Sequence, residues 1–302
     1  MSIFSSRRLL ILALSLTLSS MPGLVSAAPF SFTTGNPNHL MGSASRPGTS
    51  ATNFEIESAD DFVLTQATSI NHISFFGILV NGGVSDLNLA GTVLEMYRVF
   101  PLDSDTNRTP NVPTRMNSPS DVEFVGRDTS QFTITDTTIA DSFTVANSVT
   151  PGGVHLTTPG TTGGNGQQSG VEVLFDVTLS EPFNLPAGHY FFVPQIEMTS
   201  GFFLWLSAAK PIVPPDGPFP PGFTDLQSWT RDAALDPDWL RIGTDIVDNT
   251  PAPTFNAAFS LSGETIPLPP PLVLLSLGMA LMIRRTVSSR RAMSRGSARR
   301  LA

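Results

Sequence analysis

Apolar and polar residues alternate with a period of two through most of the middle of the chain. Val171, Val173, Phe175, Val177 and Leu179 alternate with Glu172, Leu174, Asp176 and Thr178, the pattern of a strand with one buried face. Phe255, Ala257, Phe259 and Leu261 alternate in the same way with Asn256, Ala258, Ser260 and Ser262 and predict a closing strand. β-Branched and aromatic residues concentrate at 70–80, 92–100, 122–127, 132–139, 189–198 and 202–207, which are further predicted strands. No segment between residues 28 and 265 carries a helical stripe. Many strands, Gly/Pro/Asn/Asp turns and no repeat period predict an all-β domain, an antiparallel β-sandwich of jelly-roll-like topology. Two loops interrupt it: 157–170, Gly- and Thr-rich with little to bury, and 210–222, held extended by its prolines.

The two ends break this pattern. Arg7 and Arg8 precede an uninterrupted apolar run at 9–18, Pro22 and Gly23 stop any helix, and Val25-Ser26-Ala27 supplies compact side chains. That order predicts a cleavable signal peptide over 1–27. Arg7-Arg8 is also similar to a twin-arginine export signal, although the apolar run suits the general secretory route better. At the other end an apolar run at 272–283 is followed by Arg284 and Arg285 and then by five more arginines. Positive charge stays in the cytoplasm, so the ectodomain is predicted outside and the tail, 284–302, inside. A membrane span takes about 20 apolar residues. This run is shorter, and only Ile266 and the prolines before it bring the segment near the lower limit, with Arg284 snorkelling. The predicted organisation is a signal peptide, an ectodomain over 28–264, a Pro-rich linker over 265–271, a single transmembrane helix over 272–283 and an Arg-rich tail.

Ile266-Pro267-Leu268-Pro269, the apolar run and the Arg cluster, in that order, resemble the PEP-CTERM sorting signal in its V-P-L-P-A variant. The resemblance covers 266 to about 285 and implies recognition by an exosortase, a membrane transpeptidase of Gram-negative bacteria that make exopolysaccharide. It implies an inner-membrane anchored protein with its ectodomain in the periplasm, moved after processing to the cell surface or extracellular matrix. A short span suits a transient anchor, so the mature protein is expected to lack 272–302.

Charge sharpens this picture. Two of the 17 basic residues precede residue 28 and seven follow residue 283, so the exported part holds eight against 25 acidic residues, a net of −17. Such a field repels nucleic acid. The absence of cysteine leaves stability to a hydrophobic core and excludes thiol chemistry.

Candidate chemistry is sparse. Asp103, Asp105 and Asn107 place oxygens at alternate positions as in a Ca²⁺ loop, but Arg108 and Thr114 stand where such a loop has Gly and Glu. A polar turn is the favoured reading, with Ca²⁺ the only cofactor considered. Trp229, Asp232, Asp238 and Trp239 offer rings and carboxylates suited to a sugar-binding face. The same tryptophans also suit a core, and Asp236-Pro237-Asp238 a turn. Asp60 and Asp61 are expected to flank a turn before Phe62, since adjacent strand residues point to opposite faces. His72 and His189 fall in strand-like runs and read as structural. No nucleophile elbow or phosphate loop occurs. The expected function is a non-catalytic surface or matrix protein, with carbohydrate binding or cleavage as the alternative and exopolysaccharide as a partner.

Overall fold

The computed structural model describes residues 26–50, 53–154, 162–208, 227–248 and 253–267. Leu268, Pro269, Arg284, Arg285, the apolar run at 272–283 and most of the signal peptide lie outside the described residues. Among the described residues no helix is long and apolar enough to cross a membrane. One compact unit spans Ala28–Ile266.

β1 (Pro29–Thr33), β2 (Pro37–Ala44), β3 (Ile56–Leu64) and β4 (Thr68–Val80) open the chain. β5 (Val93–Arg98) is joined by a long connection to β6 (Val125–Asp128), β7 (Phe132–Val145) and β8 (Asn147–Val149). β9 (Gln168–Leu185), β10 (Gly188–Gln195) and β11 (Phe202–Ala208) follow. β12 (Trp229–Asp232), β13 (Leu240–Arg241) and β14 (Phe259–Thr265) complete the strands. Among the described residues, helical backbone is confined to short turns at Val84–Asp86, Leu89–Gly91 and Ile242–Val247.

The strands form an eight-stranded and a six-stranded sheet. In the larger, β4 is flanked on one edge by β9 and then β7. Its other edge takes β14 and β1 along the first half, and β11, β2 and β8 along the second. The smaller sheet has the order β13-β12-β3-β10-β5-β6. Pairing is antiparallel except between β2 and β8.

The two sheets pack face to face. Phe62, Met96 and Phe192 of the smaller sheet meet Phe75, Phe175, Trp205 and Phe259 of the larger. Phe192 approaches Phe75 at 6.0 Å and Trp205 at 5.7 Å, both edge-on, the preferred aromatic geometry. A second cluster, including Met41, Ile78, Val145, Leu204 and Ile246, lies on the opposite face of the larger sheet. It covers only the β11–β2 half. The β-sandwich is therefore present, built by the alternation read in β9 and continued in β4.

β3 departs from expectation. Asp60 and Asp61 do not flank a turn; they sit mid-strand, and all nine residues of β3 are buried. Both faces of this strand are covered, so its sequence need not alternate polar with apolar. Each carboxylate instead has its own partner. Asp60 Oδ2 accepts the Ala257 N–H at 2.5 Å, and Asp61 Oδ2 lies 2.5 Å from His189 Nε2. The closing strand also shifts: β14 begins at Phe259, and Ala257 instead bridges Ser207. β9 starts at Gln168, inside the segment expected as loop, because the end of β7 offers residues 168–170 a pairing edge from Val145↔Gln168.

Candidate functional site

The outer face of the six-stranded sheet gathers a group of buried ionisable side chains, among them Glu57, Tyr97 and Arg231. Period two in β3, β5 and β10 sends Phe62, Met96 and Phe192 inward, so Glu57, Glu95, Tyr97 and Phe191 point outward. Tyr97, Phe191, Val193, Trp229 and Trp239 form an apolar cluster there. The long β5–β6 connection folds back across it. Trp239 Nε1 donates to Ser120 O at 3.1 Å, and Arg231 Nη1 donates to Asp121 O at the same distance.

Arg231 is the hub. Its Nε pairs with Glu57, Nη2 donates to Tyr97 Oη at 2.9 Å and Nη1 reaches Asp236 at 2.9 Å. The guanidinium also lies 4.3 Å over the Trp239 ring. Burial alone would pull its pKa down, but Glu57, Tyr97 and Asp236 hold it above the usual arginine value. Tyr97 is raised by burial and by the charges of Glu57 and Glu95.

Glu95 behaves differently from its neighbours. Burial, the negative charges of Glu57 and Glu123, and a hydrogen bond with Glu123 push its pKa up to about 9. It is therefore neutral at pH 7. Tyr97 Oη donates to Glu57 Oε1 at 2.6 Å and lies 3.3 Å from Glu95 Oε2, while the proton that Glu95 holds serves its hydrogen bond with Glu123. Glu55 is also raised, chiefly by burial and Glu57, and accepts Gln195 Nε2 at 3.0 Å.

Beside this network lies a cavity of about 260 Å³ lined by Val93, Glu95, Glu123, Gly126, Arg127, Asp128 and Gln131. Arg127 is committed elsewhere, to Glu181 O at 2.8 Å and Pro182 O at 3.0 Å. Gly126 lets the Glu123 carboxylate lie close over the strand, where a Cβ would stand 2.8 Å from Oε2 and the side chain would have to shift. The Glu95–Glu123 pair can share a proton or hydrogen-bond a polar ligand. Its geometry is not that of a glycoside hydrolase, whose carboxyl groups stand about 5–9.5 Å apart.

The residues singled out in the sequence fall as follows. Trp229 and Trp239 are 0% and 1% exposed, so neither ring offers a face to a sugar. Asp232 Oδ1 accepts the N–H groups of Ala234 and Leu235 and closes the turn between β12 and β13. Asp238 binds Arg108 at 2.8 Å and accepts the Asn111 N–H at 2.7 Å. Burial raises its pKa, but Arg108 and Asn111 more than offset this, and the group lies below the usual carboxylate range. Trp239 and Asp238 thus hold the β5–β6 connection, while Trp229 packs in the same apolar cluster and Asp232 shapes the neighbouring turn.

The proposed Ca²⁺ ligands do not converge. Asp103 is clamped by Arg98 Nε at 2.5 Å and by Nη2, and Asp105 Oδ1 accepts the Asn107 N–H at 2.9 Å in a local turn. Among the described residues no group of three or more acidic or histidine side chains is placed to hold a metal ion. Ile266 is exposed and Pro267 ends the described chain.

Glu57, Glu95, Tyr97, Glu123 and Arg231 went unnoticed in the sequence. A signal existed: Glu95 interrupts an otherwise apolar strand, and Arg231 is one of eight basic residues against 25 acidic. Comparison with family models, with curated proteins and with solved structures finds no match.

Proposed function

We propose that this chain is exported, held at the membrane by its C-terminal apolar run, sorted by an exosortase, and acts non-catalytically as a jelly-roll-like β-sandwich at the cell surface or in the extracellular matrix. The observation that supports this reading is where the folded unit starts and stops. The compact unit runs from Ala28 to Ile266, the residue after the expected signal cleavage and the first residue of the sorting motif. Its two ends are stapled to each other. β1 pairs with β14 from Pro29↔Glu264 to Thr33↔Ser260. The Ala28 N–H donates to Thr265 Oγ1 at 2.9 Å, and the Thr265 N–H to Ala28 O at 2.8 Å. Removing both flanking segments would leave every strand of the sandwich intact.

A chain truncated after Pro271 tests the anchor. On this reading it leaves the membrane fraction and appears soluble in the periplasm or medium. Retention in the membrane at the full-length level would overturn the anchoring. The second reading, a carbohydrate-contacting domain, is favoured by a hydroxyl-rich face on the eight-stranded sheet.

A further inference from the structure

The half of the eight-stranded sheet left uncovered by the second apolar cluster carries a registered lattice of polar side chains. Thr135 pairs with Asp176, Asp176 with Ser74, Ser74 with Ser260, and Ser260 with Thr33. Two residues along the strands, Thr133 pairs with Thr178, Thr178 with His72, His72 with Ser262, and Ser262 with Ser31. Both rows thus cross β7, β9, β4, β14 and β1 without a gap. Each member is half-buried or exposed, with the His72 and Asp176 side chains 38% and 46% open. Neighbours within a row stand about 4.8 Å apart and the rows about 6.8 Å apart, the spacings of strand pairing and of alternate strand residues.

Three properties give this face a chemistry. Eight of its ten positions are hydroxyls; Ser74 and Ser260 bond each other at 2.6 Å, and a hydroxyl can donate one hydrogen bond and accept others. Threonine is a good strand former, but serine and aspartate carry no such preference, and Asp176, Ser74 and Ser260 hold the middle of the first row. Second, in an exported part with a net charge of −17, the two rows contain no lysine or arginine and one carboxylate, Asp176, held 2.9 Å from His72. An uncharged polymer meets no repulsion here. Third, the next row places half-buried Leu174 and Phe76 opposite each other, with Thr137 at the edge and Phe76 also packed against the margin of the second apolar cluster. This gives an apolar step beside the hydroxyls, and sugar rings offer both an apolar face and hydroxyl edges. A second copy of the chain fits poorly, because sheets that stack face to face bury interdigitated apolar side chains.

We infer that this face binds a neutral, extended polysaccharide along its hydroxyl rows, with Phe76 and Leu174 against the sugar rings. The encounter rests on the matrix location proposed above; the binding itself does not. The test uses full-length protein in a polyoxyethylene detergent, with cellulose and alginate as probes. Wild type is expected to be retained on cellulose. Thr133→Val/Thr135→Val/Thr178→Val removes three hydroxyls at nearly constant shape and strand preference, and should weaken retention about tenfold or more, each lost hydrogen bond costing a factor of several. Phe124→Ala, in the β5–β6 connection beside the other sheet, should bind as wild type. Equal retention of the triple variant and wild type, retention on alginate alone, or no retention on cellulose would each overturn the inference. A protein that binds cellulose but is not exported would overturn the export reading alone.

Discussion

Glu95→Gln isolates the most perturbed carboxyl of the outer-face network. Glu95 has an ordinary value of 4.5 and is pushed to about 9 in the fold, first by burial and then by Glu57 and Glu123. Between these limits the folded state holds a proton that the unfolded state has released, so stability falls as pH rises. The contribution is complete below pH 4.5 and is lost by about pH 9. Inside that window each pH unit is worth about 1.4 kcal/mol for one such group. From pH 5.5 to 8.5 this amounts to roughly 4 kcal/mol, or on the order of 10 °C in Tm for a domain of this size. Glutamine keeps the shape, and its amide can donate to Glu123 as the protonated acid does while staying neutral across the window. Thermal melts at several pH values should therefore show a variant with near wild-type stability at pH 5.5 and a much flatter decline toward pH 8.5. Asp60, raised by burial and by Asp61, is expected to supply the slope that remains. Parallel declines for variant and wild type would refute the reasoning, as would a variant already several kcal/mol less stable at pH 5.5.

Three further outcomes follow from named contacts. Asp238→Ala leaves Arg108 and Arg115 without the buried carboxylate they share with Asp121 and should cost about 3–5 kcal/mol in chemical denaturation. Gly77→Ala would set a Cβ 2.0 Å from the Phe203 ring and 2.9 Å from Leu204 O; loss of soluble protein or a Tm drop of roughly 5 °C or more is expected from such overpacking. With Asp103 already clamped by Arg98, adding millimolar Ca²⁺ to metal-free protein should leave Tm unchanged, and a rise of several degrees would reveal a site.

The larger sheet was legible where, as along β9 and the first half of β4, one face of the strand meets the core and the other is open. Val173, Phe175 and Val177 of β9 announce that arrangement directly. β3 was not legible, because neighbours on both faces remove the alternation and leave Glu57, Ser58, Asp60 and Asp61 in consecutive buried company. The Trp229–Trp239 segment was recognisable as a cluster. Its burial depends on the β5–β6 connection, more than a hundred residues earlier, whose Ser120 carbonyl meets the Trp239 indole. The hydroxyl rows were hidden for a related reason. Thr135, Asp176, Ser74, Ser260 and Thr33 are ordinary surface residues along the chain, and only the strand order aligns them.

Intact-mass analysis of the protein recovered from the cell surface or matrix bears most directly on the central claim. The account predicts a mass that begins at Ala28 and lacks residues 272–302. A surface form still carrying the signal peptide or the arginine-rich tail would contradict it.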